Sequence, residues 1–389
     1  MVRPPLREMT PPSVPRGATL GVMGGGQLGA MFAMAAKRLG YRVEAISDVA
    51  DCPAAHHCDR VHVVSYADAT ALARIATGLA AVTFEFENVL VDAARAMAAV
   101  IPCRPAPEVL FTTQDRAREK AFLVAHGLAC APHRVVRSRA ELHDAADAVG
   151  LPAVLKTAAF GYDGKGQRRI DAAGGLDAAW EALGPAACVI EGWIDFDCEI
   201  SVVGARGASG ETAIFEPSRN VHRHHILDVS SAPTGLPAKV LDAARDITTR
   251  ILEALDLVGV ACVEFFVTRS GDVLVNEIAP RPHNSGHLTI EACESSQFEQ
   301  QVRALCGLPL GSTRQLAPAA MANLLGDCWA KGEPDWQAAL AVPGVSLLLY
   351  GKSDPRPGRK MGHLTALAPT VDEAIANVTR ARSLACRTM

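Results

Sequence analysis

The fold of this chain is decided by residues 263–287, which read VEFFVTRSGDVLVNEIAPRPHNSGH. β-Branched and aromatic residues on two arms flank a polar turn, which is the pattern of a β-hairpin. We expect Val267 to pair with Leu274. Counting back along both arms then places Glu264 opposite Glu277. Residues opposite each other in an antiparallel pair project from the same face of the sheet, so the two carboxylates would lie side by side.

Two adjacent carboxylates repel each other unless a positive charge lies between them. A hard cation such as Mg²⁺, which takes oxygen ligands and carries nucleotide phosphates, meets that need. A pair of solvated glutamates on an open sheet face is the alternative. The segment that follows, RPHNSGH at 281–287, favours a binding site because it is rich in anion-binding side chains.

The composition limits the class of protein. The chain has 389 residues, of which 49% are hydrophobic and 21% charged, and its net charge of -4 argues against a nucleic-acid partner. No run reaches the about 20 apolar residues of a membrane span. Residues 1–17 hold five prolines and no apolar signal core, which predicts a disordered extension. The eleven cysteines follow no regular framework, which predicts reduced thiols in the cytoplasm.

A glycine-rich loop stands between a strand and a helix near the N-terminus. Strand 18–23 is followed by GGGQLG at 24–29, with an acidic residue about twenty positions further on, as in dinucleotide-binding folds. Helix N-termini bind any phosphate, so a phosphorylated substrate explains the motif as well as a nicotinamide cofactor does. Strand 80–85 runs into Glu87 at the edge where α/β sheets bind ligands. A helix-start acid is the alternative for Glu87.

A second glycine-rich segment, AAFGYDGKGQ at 158–167, follows a predicted strand at 153–156. Its glycines suit a mobile loop whose backbone N–H groups close over phosphates, and Lys156 and Lys165 add positive charge. The segment is not a P-loop because GxxxxGK[ST] is absent. A long hairpin turn is the alternative.

Two further segments carry charged or metal-binding side chains. His222, His224 and His225 form a cluster in a predicted loop, for which zinc is one interpretation. Residues 351–363 place four cationic side chains on a Pro/Gly-rich loop, which can bind phosphate or simply be solvated.

Together these motifs resemble the ATP-grasp superfamily and, within it, the 5-(carboxyamino)imidazole ribonucleotide synthetase family of purine biosynthesis. The motifs in chain order are GGGQLG (24–29), FGYDGKGQ (160–167), SVVGARG (201–207), NEIAPRPHNSGH (276–287) and RPGRKMGH (356–363). A single motif would be weak, but five in one order are specific. The match extends from Gly21 to about His363, most of the chain.

The resemblance implies an α/β and α+β fold in three parts. After the extension at 1–17 come a Rossmann-like N-terminal domain at 18–112, a central ATP-grasp domain at 113–312 and a small C-terminal domain at 313–389. It also implies a homodimer.

The resemblance further implies a nucleotide site that binds ATP and Mg²⁺ between the two halves of the central domain. The implied ATP-binding residues are Arg116, Lys156, Gly161, Tyr162, Asp163, Gly164, Lys165, Gly166, Gln167, Glu191, Gly192, Trp193, Ile194, Glu199, His222, Asn276 and Glu277. Glu264 and Glu277 would hold the metal. The wider superfamily has an asparagine two residues after the second glutamate, where this chain has Ala279, so a water or Asn276 would complete the metal shell. His224 and His225 fall outside the pattern.

The implied reaction begins with bicarbonate attacking the γ-phosphate of ATP to give carboxyphosphate. That intermediate, or CO₂ released from it, is trapped by the exocyclic amine of 5-aminoimidazole ribonucleotide. The implied catalytic residues are Asp163, Arg281, His283 and Lys352. The implied substrate-binding residues are Gly26, Gln27, Leu28, Glu87, Asn284, Ser285 and Arg359, with Lys352 and Arg359 at the 5′-phosphate. A turn former before Gly164 is the alternative for Asp163.

Two groups of alternatives remain at this point. Another ATP-grasp ligase, such as the formate-dependent glycinamide ribonucleotide transformylase or a biotin carboxylase, would share the central domain. A Rossmann-type NAD-binding protein would explain GGGQLG but leave everything after Pro107 without a function.

Overall fold

The computed structural model describes residues 13–159, 166–184 and 187–387. Its N-terminal part alternates strands and helices as the first glycine-rich motif predicts. The elements are β1 (Thr19–Met23), α1 (Gln27–Arg38), β2 (Arg42–Ser47), β3 (Arg60–Val63), α2 (Ala69–Ala76), β4 (Ala81–Phe84), α3 (Val91–Ala98) and α4 (Pro107–Thr113). The four strands form a parallel sheet in the order β3-β2-β1-β4.

The described chain is already fixed in place before β1. The Val14 N–H donates to the Cys306 carbonyl oxygen over 2.8 Å, and the Tyr41 hydroxyl donates to the Val14 carbonyl over 3.0 Å. Residues 13–17 were predicted to belong to a disordered extension. For Val14 that prediction is wrong, because its backbone is bonded on both sides.

A second, antiparallel sheet follows in the order β5-β8-β6-β7. Its elements are α5 (Arg116–Ala125), β5 (His133–Val136), α6 (Arg139–Val149), β6 (Ala153–Thr157), β7 (Gln167–Ile170), α7 (Leu176–Leu183) and β8 (Cys188–Gly192). Helix α5 begins one turn after α4 ends because Asp115 caps it, its carboxylate accepting from the Arg118 N–H over 2.9 Å.

The rest of the chain builds one large sheet of nine strands. Its elements are β9 (Phe196–Arg206), β10 (Thr212–Ile214), β11 (Ser218–Arg223), β12 (Ile226–Ala232), α8 (Ala238–Ala254), β13 (Gly259–Thr268), β14 (Val273–Ala279), α9 (Thr289–Ala292), α10 (Gln297–Cys306), β15 (Ala319–Leu325), α11 (Trp336–Leu340), β16 (Val345–Leu349), β17 (Lys360–Leu367) and α12 (Val371–Ala385). The order is β14-β13-β9-β11-β12-β15-β17-β16, with β10 paired to β9. The strands of the predicted C-terminal domain therefore continue the central sheet through the β12–β15 pairing.

The predicted hairpin is present, with one change of register. Glu264 does face Glu277, but Val267 pairs with Val273 and not with Leu274. A β-bulge between Glu264 and Phe265 inserts one residue, Asn276, into the second arm. The expected pairing of Val267 was wrong, and the bulge compensates for the one-residue difference.

Two segments predicted as loops contain strand. The histidine cluster lies on the β11–β12 hairpin, where His224 and His225 form the turn in left-handed conformation, with φ of 51° and 65°. The RPGRKMGH motif enters β17 at Lys360, and its last residue, His363, is buried within that strand. In both segments, turn-forming and cationic residues interrupt the alternation of apolar and polar residues that would predict a strand.

The described residues include one disulfide, between Cys328 and Cys386, so the prediction that the thiols are all reduced is wrong for this pair. Cys328 lies in a short 3₁₀ helix, Gly326–Trp329, and Cys386 caps the end of α12. The bridge ties the last helix to the end of β15. No described helix is long and apolar enough to cross a membrane.

We predict nine reactive thiols in the denatured, unreduced protein and eleven after reduction, because two of the eleven cysteines form the disulfide. Titration with a thiol reagent in denaturant measures both numbers. The Cys328→Ala, Cys386→Ala double variant should give nine under both conditions. Eleven thiols in the unreduced wild type would show that the bridge does not form.

Candidate active site

A cleft of about 910 Å³ lies where the parallel sheet, the second sheet and the large sheet meet. Residues from all three predicted domains line it. They include Gly26, Gln27, Leu28, Glu87, Arg116, Lys156, Gln167, Trp193, Glu199, His222, Glu264, Asn276, Glu277, Arg281, His283 and Asn284, together with Lys360 from β17. Most of the predicted site residues within the described chain are therefore brought together.

The two facing glutamates of the hairpin lie in the floor of this cleft. Burial raises the pKa of Glu264 to about 7, and the Glu277 carboxylate adds to the shift. The Arg116 guanidinium lies 3.8 Å from the Glu277 carboxylate, and His283 Nε2 lies 3.4 Å from that of Glu264. Besides burial, the raised pKa of Glu264 thus reflects the repulsion between the two carboxylates that the sequence predicts.

The donor set fits a cation that shares its ligands with a substrate. The described residues contain no group of three or more His, Cys, Asp or Glu side chains able to hold a metal ion. Glu264 and Glu277 alone would leave most of the positions of a Mg²⁺ ion to phosphate oxygens and water, as is usual for nucleotide-bound Mg²⁺. Ala279 is buried opposite Cys262, and the bulged Asn276 turns its backbone carbonyl to Lys120 Nζ, 2.8 Å away.

A buried charge cluster anchors the two lysines beside the cleft. Lys156 Nζ donates to the Glu191 carboxylate over 2.9 Å, and Lys120 Nζ lies 3.9 Å from it. Burial alone would raise the pKa of Glu191, but the two ammonium groups outweigh it and hold the pKa at about 2. Glu191 is one of the connector residues predicted to receive the nucleotide. Its side chain is 3% exposed and binds Lys156, so the backbone is the part of Glu191 left for that role.

The far end of the cleft offers polar and apolar surfaces suited to a nucleoside. His222 Nδ1 lies 2.8 Å from the Glu199 carboxylate; burial alone would lower the pKa of His222, but this carboxylate outweighs it and raises the pKa. Phe196 and Phe266 stack with ring centroids 4.8 Å apart, and both line the cleft. The sequence gives no sign that these two phenylalanines belong to a binding site, because aromatic residues on strands are typical of a hydrophobic core.

The loop after the hairpin adds cationic and polar side chains to the cleft. Arg281 forms an ion pair with Glu87, which joins this loop to the end of β4. Burial lowers the pKa of His283 well below its usual value, and the nearby Arg281 cation adds to this, so the ring is neutral. Asn284 is buried with both amide atoms lacking a hydrogen-bond partner among the described residues, as expected of a group that a substrate satisfies.

Three predicted residues at this end are placed differently. Ser285 is 0% exposed and lies behind His283, with its Oγ 2.8 Å from His283 Nδ1. The Arg359 guanidinium donates to the Asp354 carbonyl over 2.8 Å. Lys352 Nζ donates to Gln27 Oε1 over 2.5 Å and so supports a cleft residue. The cation that β17 adds to the cleft lining is Lys360, which the sequence contained in the same motif.

A carboxylate of the protein itself occupies the first glycine-rich loop. Glu85, at the end of β4, accepts from the Gly26 N–H and from the Gly29 N–H, the latter over 2.6 Å. A Cβ on Gly24 would lie 2.1 Å from the Glu85 side chain. The anion position of the fingerprint is therefore filled, which contradicts a dinucleotide pyrophosphate there. Gly26, Gln27 and Leu28 instead face the common cleft.

Part of the second glycine-rich segment, with Gly161, Tyr162, Asp163, Gly164 and Lys165, lies outside the described residues. Gly166 and Gln167 are described. Gly166 has φ of 74°, and a Cβ there would lie 2.6 Å from Thr157 Oγ1, so the position requires glycine. Gln167 pairs with Lys156 and lines the cleft.

Comparison with known proteins gives three family matches that follow the three parts of the chain. Residues 17–114 match the ribonucleotide synthetase preATP-grasp domain, residues 121–298 the ATP-grasp domain, and residues 319–377 the phosphoribosylaminoimidazole carboxylase C-terminal domain. The N5-carboxyaminoimidazole ribonucleotide synthase of Brucella melitensis is 44% identical over 92% of this chain and 98% of its own length. The chain belongs to the N5-carboxyaminoimidazole ribonucleotide synthase family.

Solved structures of this family agree with the fold. An ADP complex of an N5-carboxyaminoimidazole ribonucleotide synthetase, 36% identical, superposes with a TM-score of 0.90 over 95% of this chain and 98% of that one. The Aspergillus clavatus synthase in complex with ADP and 5-aminoimidazole ribonucleotide, 28% identical, gives 0.86 over 96% and 99%. The three-part architecture inferred from the resemblance is confirmed. The match to the synthase family covers more than nine-tenths of this chain.

We predict that the protonated Glu264 and Glu119 carboxyls stabilise the ligand-free protein and that this contribution is lost as pH rises from about 5 to about 8, against the opposite contribution of buried neutral histidines such as His283. The folded pKa of Glu264 is about 7 and that of Glu119 about 8, against an ordinary value of 4.5. The folded state therefore holds protons that the unfolded state releases, and the benefit is complete below 4.5 and lost as pH rises through 7. Glu264→Gln should remove the Glu264 contribution from the dependence of Tm on pH, whereas Glu253→Gln, on an exposed face of α8, should leave that dependence as in wild type. Equal slopes for wild type and Glu264→Gln would contradict the prediction.

Proposed function

We propose that this protein carboxylates 5-aminoimidazole ribonucleotide with bicarbonate and ATP, giving N5-carboxyaminoimidazole ribonucleotide, ADP and phosphate. The observation that carries the proposal is one cleft that is lined both by the facing glutamates and by the Arg281–Asn284 loop next to them. The similarity to the Brucella melitensis synthase supports it, as does the complex of the Aspergillus clavatus synthase with ADP and 5-aminoimidazole ribonucleotide.

ATP would lie along the cleft between the second sheet and the large sheet. Its phosphates would meet Arg116, Lys156 and the segment at 161–167, and its ribose would meet Glu199 and His222. The stacked Phe196 and Phe266 add apolar surface suited to the adenine ring, beside the connector at 192–194. Because the Glu191 side chain is bound by two lysines, the connector would contribute backbone groups there.

Mg²⁺ would be held by Glu264 and Glu277 together with phosphate oxygens. When bound, it neutralises phosphate charge during phosphoryl transfer. Its presence would also remove the repulsion between the two carboxylates, which is the physical reason to expect it at this place.

The chemistry would begin with a bicarbonate oxygen attacking the γ-phosphorus of ATP, which breaks the bond to ADP and gives carboxyphosphate. The exocyclic amine of the ribonucleotide then attacks the carboxyl carbon, directly or after release of CO₂, and phosphate leaves. Arg281, held by Glu87, offers a planar set of donors to the carboxyl oxygens, and His283 and Asn284 add donors beside it. Asp163 is proposed, from the family motif, to accept the proton that the amine loses.

Three further proposals rest on the resemblance. We propose a homodimer, a cytoplasmic location, and domain boundaries after residues 17, 112 and 312. Sedimentation of the purified protein tests the first of these, with a single species of twice the 41.0 kDa chain mass expected.

We predict that ADP release in bicarbonate buffer with ATP and Mg²⁺ rises at least tenfold on adding 5-aminoimidazole ribonucleotide, because the second substrate completes the catalytic site. Glu277→Gln should lower kcat by about 100-fold or more because a metal ligand is lost. The coupled assay for ADP measures both. Stimulation by formate with glycinamide ribonucleotide, and not by the proposed pair, would refute the function. Normal turnover of Glu277→Gln at millimolar Mg²⁺ would refute the metal site.

We predict that Lys360→Met raises KM for 5-aminoimidazole ribonucleotide by about 10- to 100-fold, as expected for loss of a charge-assisted bond to its 5′-phosphate. The adjacent Arg359→Met is the matched control and should change KM by less than about threefold, because exposed ion pairs such as that with Asp354 contribute little. Steady-state kinetics with varied ribonucleotide measures both. A larger increase in KM for Arg359→Met than for Lys360→Met would contradict the prediction and assign the 5′-phosphate to Arg359.

A further inference from the structure

A chain of buried hydroxyl and amide groups lies behind the His283 ring. We call it the serine relay. Its members are Ser285, Ser201, Asn220 and Ser230, which are 0%, 2%, 5% and 0% exposed. Ser285 belongs to the short 3₁₀ turn after His283, whereas the other three lie on the neighbouring strands β9, β11 and β12. The serine relay therefore anchors the loop after the hairpin to three strands of the large sheet.

The hydrogen bonds of the serine relay have one direction, because an amide nitrogen can only donate. Asn220 Nδ2 donates to Ser201 Oγ over 2.9 Å, and the Ser201 hydroxyl in turn donates to Ser285 Oγ over 2.7 Å. Ser285 Oγ, 2.8 Å from His283 Nδ1, then has its own proton available for that nitrogen. At the other end, Ser230 Oγ donates to Asn220 Oδ1 over 2.8 Å, which sets the orientation of the amide.

A second donor reaches the same ring nitrogen. The Ser285 backbone N–H donates to His283 Nδ1 over 3.3 Å. A nitrogen that accepts hydrogen bonds carries no proton, and a neutral imidazole has a single N–H, which must then be on Nε2. We infer that the serine relay fixes His283 as the Nε2–H tautomer, which makes Ser201, Asn220 and Ser230 positioning residues of the active site.

The backbone of His283 is held independently of its ring. The His283 N–H donates to Gln297 Oε1 over 2.9 Å, and Gln297 Nε2 donates to the His283 carbonyl oxygen over 2.8 Å. Gln297 itself is 0% exposed at the start of α10. With the backbone fixed by Gln297, the remaining freedom of the residue is the rotation and tautomer of the ring, which the serine relay controls.

A fixed Nε2–H selects the chemical class of the group that meets it. Nε2 is the nitrogen on the Glu264 side, 3.4 Å from that carboxylate. An N–H at this position donates to a carboxylate-like oxyanion, whereas the opposite tautomer would present a lone pair and repel it. With Glu264 engaged in holding Mg²⁺, the oxyanion that this N–H meets would be bicarbonate, or the carboxyl group derived from it, and this step of the inference rests on the proposed function.

The tautomer itself is tested without any activity measurement. Nitrogen NMR of the ligand-free protein, labelled with ¹⁵N-histidine, distinguishes a protonated from an unprotonated ring nitrogen. His283→Asn identifies the His283 signals by their absence. We expect wild type to show the proton on Nε2. Ser201→Ala should show a mixture with Nδ1–H, because the Ser285 hydroxyl can then turn and accept from Nδ1, and only the longer backbone bond of 3.3 Å still opposes this.

A matched control separates the relay from a general effect of removing a buried hydroxyl. Ser231 is also buried, 5% exposed, and as the next residue on β12 it projects to the opposite face from Ser230. Ser231→Ala should leave the His283 signals and the kinetics as in wild type. Thermal melting of all variants shows which are folded. A proton on Nδ1 in wild type, or an unchanged Nε2–H tautomer in folded Ser201→Ala, would overturn the inference.

Kinetics then test the oxyanion. Ser201→Ala should raise KM for bicarbonate by about tenfold, the size expected for a misoriented buried hydrogen bond, with KM for ATP changed by less than about twofold. A changed tautomer with an unchanged KM for bicarbonate would overturn the link to bicarbonate. Absence of carboxylation in wild type would instead refute the proposed function, while the NMR comparison would still decide the tautomer.

Discussion

The close approach of two carboxylates on one hairpin is the constraint on which the rest of this structure depends. Glu264 and Glu277 face each other across β13 and β14, and no apolar packing can relieve their repulsion. Their surroundings are accordingly cationic or able to donate hydrogen bonds. Arg116 comes from the start of α5, and Lys120, one helical turn later, binds the bulged backbone next to Glu277. The hairpin thus binds the start of α5 and places two cations of that helix next to the facing carboxylates.

In the first glycine-rich loop, too, a buried carboxylate is bound by hydrogen-bond donors of the protein. There the N–H groups at the start of α1 bind Glu85 of the protein, where a nucleotide-binding fold would bind phosphate. Burial raises the pKa of Glu85, and the two backbone N–H groups oppose that shift. The loop is therefore held in place by Glu85 and supports the start of α1. It presents Gln27 and Leu28 to the cleft, and Lys352 holds Gln27 from the opposite side.

The C-terminal part of the chain contributes to the cleft because the large sheet runs through two predicted domains. β12 and β15 pair along four residues, so the strands of the C-terminal part are positioned by hydrogen bonds and not only by packing. Lys360 reaches the cleft at the start of β17 as a consequence. Arg382 of α12 adds a partly buried ion pair with Asp228 of β12, 2.5 Å between nitrogen and oxygen. This continuity explains how a C-terminal cation can serve a site built mainly by the central part.

The sequence by itself determined the family, the three-part architecture, the facing glutamates and most of the polar cleft lining, because these follow from residue types at fixed spacing. Tertiary structure decided the rest. The bulge at Asn276 depends on Lys120, 156 positions away, which no local pattern shows. Glu191 is turned inward by two lysines, and Arg359 lies on Asp354 while its neighbour Lys360 lines the cleft. The pairing of Cys328 with Cys386 likewise joins distant segments. In each case the position of a side chain depends on a partner that is distant in sequence and becomes a neighbour only in the folded chain. The spacing of residues along the sequence therefore does not predict the contact.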